Sequence, residues 1–328
     1  MREVCIKLNT TGYEPFLDFL KAFAILCVLI GHTFPSLDKI GYPFSIGMQV
    51  PIFILIQAFH VLKKPVPTFS VKKLFSRIIV PYVIIELSIV LLYLIQDKLS
   101  YSLIISGLIG GGYGPGSYYP WVYIQIAIIL YYVRPFFEKG NLFKQAIFWI
   151  ALCEGLEVVQ SYANPPDYIH RLLAVRYLLL VYLAWVWVKK GIIINKGTIL
   201  LSVTSLLSIA YFYYGEINNE PLFFTTGWSY HRWPCYFYVS TLLCYVLYEI
   251  YVRISQFDII DRTVKLLAKC SYEIFLVQMA VIAVFPNFNF ILNKNYAFPL
   301  WIAIVWLVSI LGGYWFNKTY SNLLIKYK

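Results

Sequence analysis

An imidazole, an ammonium and a carboxylate share one apolar stretch near the start of this chain. Asp18-Phe-Leu-Lys21 opens it, Gly31-His32 closes it, and the residues between Lys21 and His32 are uncharged. Ionisable groups inside a membrane helix are costly, face a protein interior or a wet cavity, and are functional candidates by default. Lys21 and His32 are eleven residues apart, which on an α-helix is three turns plus roughly 20°. Both therefore project from one face, about 16 Å apart along the axis. A neutral imidazole can take a proton from a hydroxyl near neutral pH, the task of a general base in acyl transfer. It can also carry an acyl group itself. The plainer reading is a satisfied polar group inside a bundle.

Other residues could complete such a site. Glu154 and Glu157 are i, i+3 neighbours and share a helix face. A carboxylate from this pair could orient His32 and raise its basicity, whereas Asp18 is about 21 Å away down the same helix. Arg171 and Arg176 follow shortly, and His231-Arg232-Trp233 sets a cation beside an aromatic ring, which suits a sugar or an anion. Lys72, Lys73 and Arg77 precede Pro81-Tyr82. They read either as a signal on an anionic leaflet or as a holder for the phosphates of a nucleotide-linked donor. The run Gly110-Gly-Gly-Tyr-Gly-Pro-Gly116 has the glycine content of a phosphate loop without its Lys-Ser/Thr or preceding strand. Such a loop can dip between helices and bring backbone donors to a ligand. Ser117, Trp121 and Gln125 follow it, the last two one helical turn apart, as candidates for flanking a sugar.

The elements that must position these groups follow from composition. Of 328 residues, 60% are hydrophobic and 13% charged, about half the charge of a soluble domain. That places the chain among all-α integral membrane proteins. The net charge of +11 is spread over loops rather than gathered in a stripe, which excludes a nucleic-acid partner. The six cysteines have no metal or redox spacing, so no metal site is expected. Ten segments approach the spanning length of about 20 residues, at 14–34, 43–62, 74–96, 118–137, 142–159, 170–190, 197–214, 231–252, 266–288 and 297–317. The first is too long for a signal-peptide core and is expected to be a retained helix. No internal repeat is visible, and residues 1–328 read as one polytopic domain.

Charge sets the orientation. With the N-terminus cytoplasmic, the inside segments collect twenty Lys and Arg and the outside segments five. This asymmetry supports ten spans with both termini cytoplasmic. Lys21 then lies toward the cytoplasmic end of the first helix and His32 toward the outer end. Glu273 falls at a depth similar to Lys21, so Lys21 is expected to pair with Asp18 or with Glu273.

Together the landmarks resemble the membrane acyltransferase-3 family. They are Leu17-Asp18-Phe-Leu-Lys21 with His32, Val50-Pro-Ile-Phe53, Lys72-Lys73 with Arg77 and Pro81-Tyr82, Gly114-Pro-Gly-Ser-Tyr118 with Trp121, Arg176-Tyr-Leu178, and Ser271-Tyr-Glu-Ile-Phe-Leu-Val-Gln278. Lys21 stands where the family usually has Arg, Gln57-Ala58 where it has Ser-Gly, and Gln278 where His is frequent. The high Tyr, Phe and Ile content points to a bacterial inner membrane. The resemblance implies a ten-helix protein. It would move an acyl group, acetyl above all, from cytoplasmic acyl-CoA to a hydroxyl of an extracytoplasmic or lipid-linked saccharide. The acyl-CoA is a donor substrate, and no permanently bound cofactor is implied. His32 would be the catalytic base or acyl relay, with Arg77 helping to hold CoA. A saccharide transporter or flippase is the rival reading. Such proteins often show inverted repeats, and this sequence has none.

Overall fold

The computed structural model describes residues 4–34, 49–64, 69–163, 166–218, 233–284 and 297–326. The described chain is almost entirely helical. Its one sheet is a two-stranded antiparallel ribbon, β1 (Val4–Ile6) against β2 (Ile192–Ile194), with Val4 opposite Ile194 and Ile6 opposite Ile192.

Helix α1 (Pro15–Thr33) is the centre of the fold. It starts where Glu14 accepts a hydrogen bond from the Phe16 amide and Pro15 supplies a first helical residue that needs no donor. Its side chains are buried all round: Phe16, Leu20, Ala24, Ile25 and Leu29 are inaccessible to solvent. Around it pack α2 (Gln49–Leu62), α10 (Cys235–Ile254), α11 (Asp258–Lys269) and α12 (Ser271–Val284). Of the most apolar 18 residues of α1 61% are buried, against 17% of the corresponding stretch in α3 (Val71–Ile95) and 17% in Leu300–Ile325 of α13 (Ala297–Lys326). A helix apolar all round but buried on few sides presents the rest to lipid. Helices α3 and α13 are therefore peripheral, and both pack on α12.

The rest of the chain runs through α4 (Tyr101–Gly110), α5 (Tyr119–Lys139), α6 (Leu142–Ala163), short α7 (Asp167–Leu172), a 3-10 turn at Ala174–Tyr177, α8 (Leu178–Lys190) and α9 (Lys196–Asn218). Helix α3 widens into a π-helical stretch at Phe75–Ile79, just before Pro81. Proline lacks the N–H that would close the preceding turn and crowds the carbonyl four residues back. The widened turn relieves this, and the Tyr320 hydroxyl donates to the Ser76 carbonyl.

Among the described residues, five helices are long and apolar enough to cross a membrane: α1, α3, α5, α10 and Leu300–Ile325 of α13. A sixth arises if α11 and α12, bent by 67° at their junction, count as one. The tenth segment, expected to end at 317, continues to Lys326, and two others depart in kind. The ninth, expected from 266, begins as a helix at Ser271, after the separate helix α11. Asp258, Asp261, Arg262, Lys265 and Lys269 make α11 amphipathic and suit it to the membrane surface. The sixth, expected as 170–190, is divided among α7, the 3-10 turn and α8.

Candidate active site

The C-terminal end of α1 brings His32 against α12. The Gln278 amide nitrogen lies 2.8 Å from His32 Nδ1. An amide can donate to Nδ1 or, turned over, accept from Nδ1–H. The second orientation pairs the Gln278 oxygen, which is buried and has no partner in the first. It also leaves the lone pair on Nε2. In place of the carboxylate expected to orient His32, the fold supplies a neutral amide. One residue on, Thr33 is inaccessible to solvent and fully committed. Its hydroxyl donates to the Leu29 carbonyl at 2.7 Å and accepts from the Trp306 indole at 3.1 Å.

The glycine-rich loop folds over this corner. Gly116 has φ +87°, and a Cβ there would lie 2.8 Å from the Phe275 ring and 3.9 Å from His32 Cε1. Only glycine holds that conformation freely at so close an approach. Ser117 is buried, its amide donating to the Gly114 carbonyl at 3.1 Å. Trp121 donates to the Gly111 carbonyl at 3.0 Å. The Gln125 amide donates to the Leu172 carbonyl at 2.6 Å, and its oxygen accepts the Ala174 amide at 3.1 Å. These last two side chains thus pin the loop and the segment before the 3-10 turn.

The N-terminal end of α1 is charged. Lys21 Nζ lies 3.0 Å from Asp18 Oδ1, and the Tyr13 hydroxyl donates to Asp18 Oδ2 at 2.5 Å. Burial and that bond to Asp18 hold the Tyr13 phenol above its ordinary pKa, so it stays a donor. Lys21 has taken Asp18, while Glu273 bonds Asn317. Lys72, Lys73 and Arg77 are all exposed at the start of α3. Arg77 lies within electrostatic reach of Tyr123, whose carbonyl accepts the Gln57 amide at 3.0 Å. From Tyr123, edge-on ring contacts continue to Tyr119 at 6.2 Å and from Tyr119 to Phe275 at 5.6 Å. A row of rings thus runs from Tyr123 to Phe275, beside the His32 corner.

Glu154 and Glu157 form a second polar cluster. Glu154 accepts the Trp233 indole at 2.9 Å, Glu157 is buried, and α6 packs against the turn that carries buried Arg176. The Arg176 carbonyl accepts the Tyr236 hydroxyl at 2.7 Å. Arg171 precedes that turn at half-burial. His231 and Arg232 lie outside the described residues.

Two site neighbours escaped the sequence reading as functional candidates. Gln278 was visible only as part of a motif. Glu86 is the one carboxylate in the apolar run Val80–Ile95, and the rule that singles out His32 singles it out too. It accepts the Tyr113 amide at 3.1 Å.

No curated protein and no solved structure matches the sequence. A family model described as an acyltransferase domain does match, over residues 14–318. That range takes in His32, its partner Gln278, the loop that covers them and the basic start of α3, and it is nearly the whole chain. The chain therefore belongs to the membrane acyltransferase-3 family, as a multi-pass membrane acyltransferase.

Proposed function

We propose that this protein transfers an acyl group, acetyl above all, from cytoplasmic acyl-CoA to a hydroxyl of an extracytoplasmic or lipid-linked saccharide. One observation carries the reading: a histidine at the outer end of the central helix, its Nδ1 held by Gln278 and its ring covered by the glycine loop. With Nδ1–H donating to the Gln278 oxygen, Nε2 is the base. It takes the proton of the acceptor hydroxyl, and the resulting alkoxide attacks the thioester carbonyl. The CoA thiolate leaves and recovers the proton from the imidazolium, so the imidazole ends neutral.

The donor's phosphates are assigned to Lys72, Lys73 and Arg77, with Lys21 on the passage inward. A guanidinium can grip phosphate through two parallel bonds. The ring row from Tyr123 to Phe275 supplies an apolar wall between that basic mouth and His32. The acceptor is assigned to the outer side, between the Ser117 loop with Trp121 and Gln125 and the cluster of Glu154, Glu157, Arg171 and Arg176. His231 and Arg232 are placed there by sequence alone. Ten spans with both termini in the cytoplasm suit this arrangement. The pairing of the N-terminal strand with the α8–α9 connector in the β1–β2 ribbon supports assigning both to the same side. A bacterial inner membrane is the expected location.

The test is transfer of labelled acetyl from acetyl-CoA to saccharide by the purified protein in lipid, with reporter fusions at each terminus. Labelled saccharide supports the reading. Movement of saccharide across the bilayer without label would make the protein a flippase instead.

A further inference from the structure

We infer that Glu86 is the positioning residue that fixes the glycine-rich loop over His32. The inference rests on the acyl-transfer reading only for its effect on rate. Glu86 is the one charged residue in the stretch Val80–Ile95 of α3, a helix facing lipid along much of its length. A carboxyl is expensive at such a place and persists where its bonds are made within the protein. One oxygen, Oε2, accepts the Tyr113 amide at 3.1 Å. The other is buried beside the loop.

The loop has no slack around that contact. Gly112 has φ +135°, and a Cβ there would lie 2.3 Å from the Tyr82 hydroxyl, 2.4 Å from Glu86 Oε1 and 2.6 Å from Ser117 Cβ. One helical turn before Glu86, Tyr82 donates to the Gly111 carbonyl. Helix α3 therefore grips the loop twice, at the carbonyl of residue 111 and at the amide of residue 113. Immediately beyond the second grip the chain lies on α12. A Cβ at Gly114 would meet Met279 Cγ at 2.1 Å, and Gly116 lies against Phe275 and His32. Met279 directly follows Gln278, the partner of His32, and Phe275 is three residues before it. Glu86 thus acts on His32 through the Tyr113 amide and three residues of backbone. A misplacement of about 1 Å at a reacting centre costs up to a hundredfold in rate.

The experiment compares Glu86→Ala and Glu86→Gln in the full-length protein in lipid nanodiscs, by amide hydrogen exchange of the 111–118 segment and by acyl-transfer kinetics. Glu86→Ala is expected to speed exchange at Tyr113 and its loop neighbours at least tenfold, leaving α1 and α12 protected. The turnover number should fall about ten- to a hundredfold, with the donor KM within about threefold. Glu86→Gln, whose amide oxygen can still accept the Tyr113 N–H, should restore both. Unchanged exchange in Glu86→Ala would overturn the inference, as would a Glu86→Gln protein as loose as Glu86→Ala. If Glu86→Ala does not accumulate in the membrane, Glu86→Asp, one methylene shorter, carries the same comparison. The exchange readout needs no turnover. A loop that loosens in a protein transferring no acyl group sinks the functional reading and leaves the assignment of Glu86 standing. An active wild-type protein whose Glu86→Ala loop stays protected does the reverse.

Discussion

The two ends of α1, inner and outer in the proposed orientation, hold polar groups in opposite ways. At the inner end an ion pair, Lys21 with Asp18, is backed by the Tyr13 hydroxyl, and the two charged side chains keep 27% and 18% of their surface exposed. At the outer end every bond in view is neutral: an imidazole with an amide, a threonine with an indole. Thr33 and Gln278 there have 0% and 1% of their surface exposed. The difference follows from desolvation. A charge near water loses little solvation and can keep a partner cheaply, whereas a buried charge costs several kcal/mol that its partner rarely returns. A neutral group costs far less to bury once its hydrogen bonds are made. The Lys21 end thus keeps its charge near water, and the His32 end holds a neutral imidazole in one orientation.

The sharpest way to break this contrast is to remove the base. His32→Ala is expected to lower acyl transfer by about a thousandfold at normal membrane level, within the range a positioned general base supplies. Unchanged acetylation of cell-surface saccharide in cells carrying this variant would eliminate the mechanism. Gln278→Leu should lower the turnover number about ten- to a hundredfold, because it leaves the imidazole unheld, with the donor KM little altered. Gln278→Asn keeps an amide but withdraws it by one methylene, and should fall between. If both Gln278 variants match wild type in a steady-state assay, the amide does not orient the ring.

At the inner end the expected effect is smaller and of another kind. Lys21→Ala should raise the donor KM several-fold with little change in turnover number. Its stability cost should be at most about 1 kcal/mol, since the pair is partly exposed and i, i+3 on one helix. Lys21→Arg should restore binding or improve it, because a guanidinium grips phosphate through a fork. Titration of initial rate against acetyl-CoA concentration separates these outcomes. A fall in turnover number at fixed KM would move Lys21 from substrate binding into the chemistry.

Much of this was legible in the sequence because charge in an apolar run is conspicuous. Asp18, Lys21 and His32 stood out, and one of the two expected partners of Lys21 is the one present. The start of α1 at Pro15 was within a residue of its expected place. What could not be read were contacts between elements far apart in sequence. Nothing local says that Gln278, 246 residues on, meets His32. The amphipathic helix α11 was hidden by its charges, which read as a loop, although alternating charged and apolar residues at helical spacing also mark a surface helix. Trp121 and Gln125 looked like sugar contacts because an aromatic ring and an amide suit one. Their hydrogen bonds to backbone groups at 111, 172 and 174 could not be read there. Such bonds depend on where loops arrive, which spacing along a helix does not reveal.

The smallest expected effect tests the neutral design of the outer end most directly. Thr33→Val keeps the shape and removes the hydroxyl. Leu29 C=O loses a second, dispensable donor, but the partly buried Trp306 indole loses its acceptor, at a cost toward the low end of that for a fully buried donor. Leaving a buried donor unpaired costs about 1–3 kcal/mol. Thr33→Ser retains both bonds and should cost less, leaving only the space of one methyl. Thermal unfolding in detergent should rank wild type above Thr33→Ser and Thr33→Ser above Thr33→Val. Acyl transfer at low temperature should stay within about threefold of wild type, since Thr33 points to α13 while His32 points to α12. A Thr33→Val protein as stable as Thr33→Ser would show that the indole bond contributes nothing. The outer end would then be held by packing and by Gln278 alone, and the contrast with the bonded inner end would be sharper still.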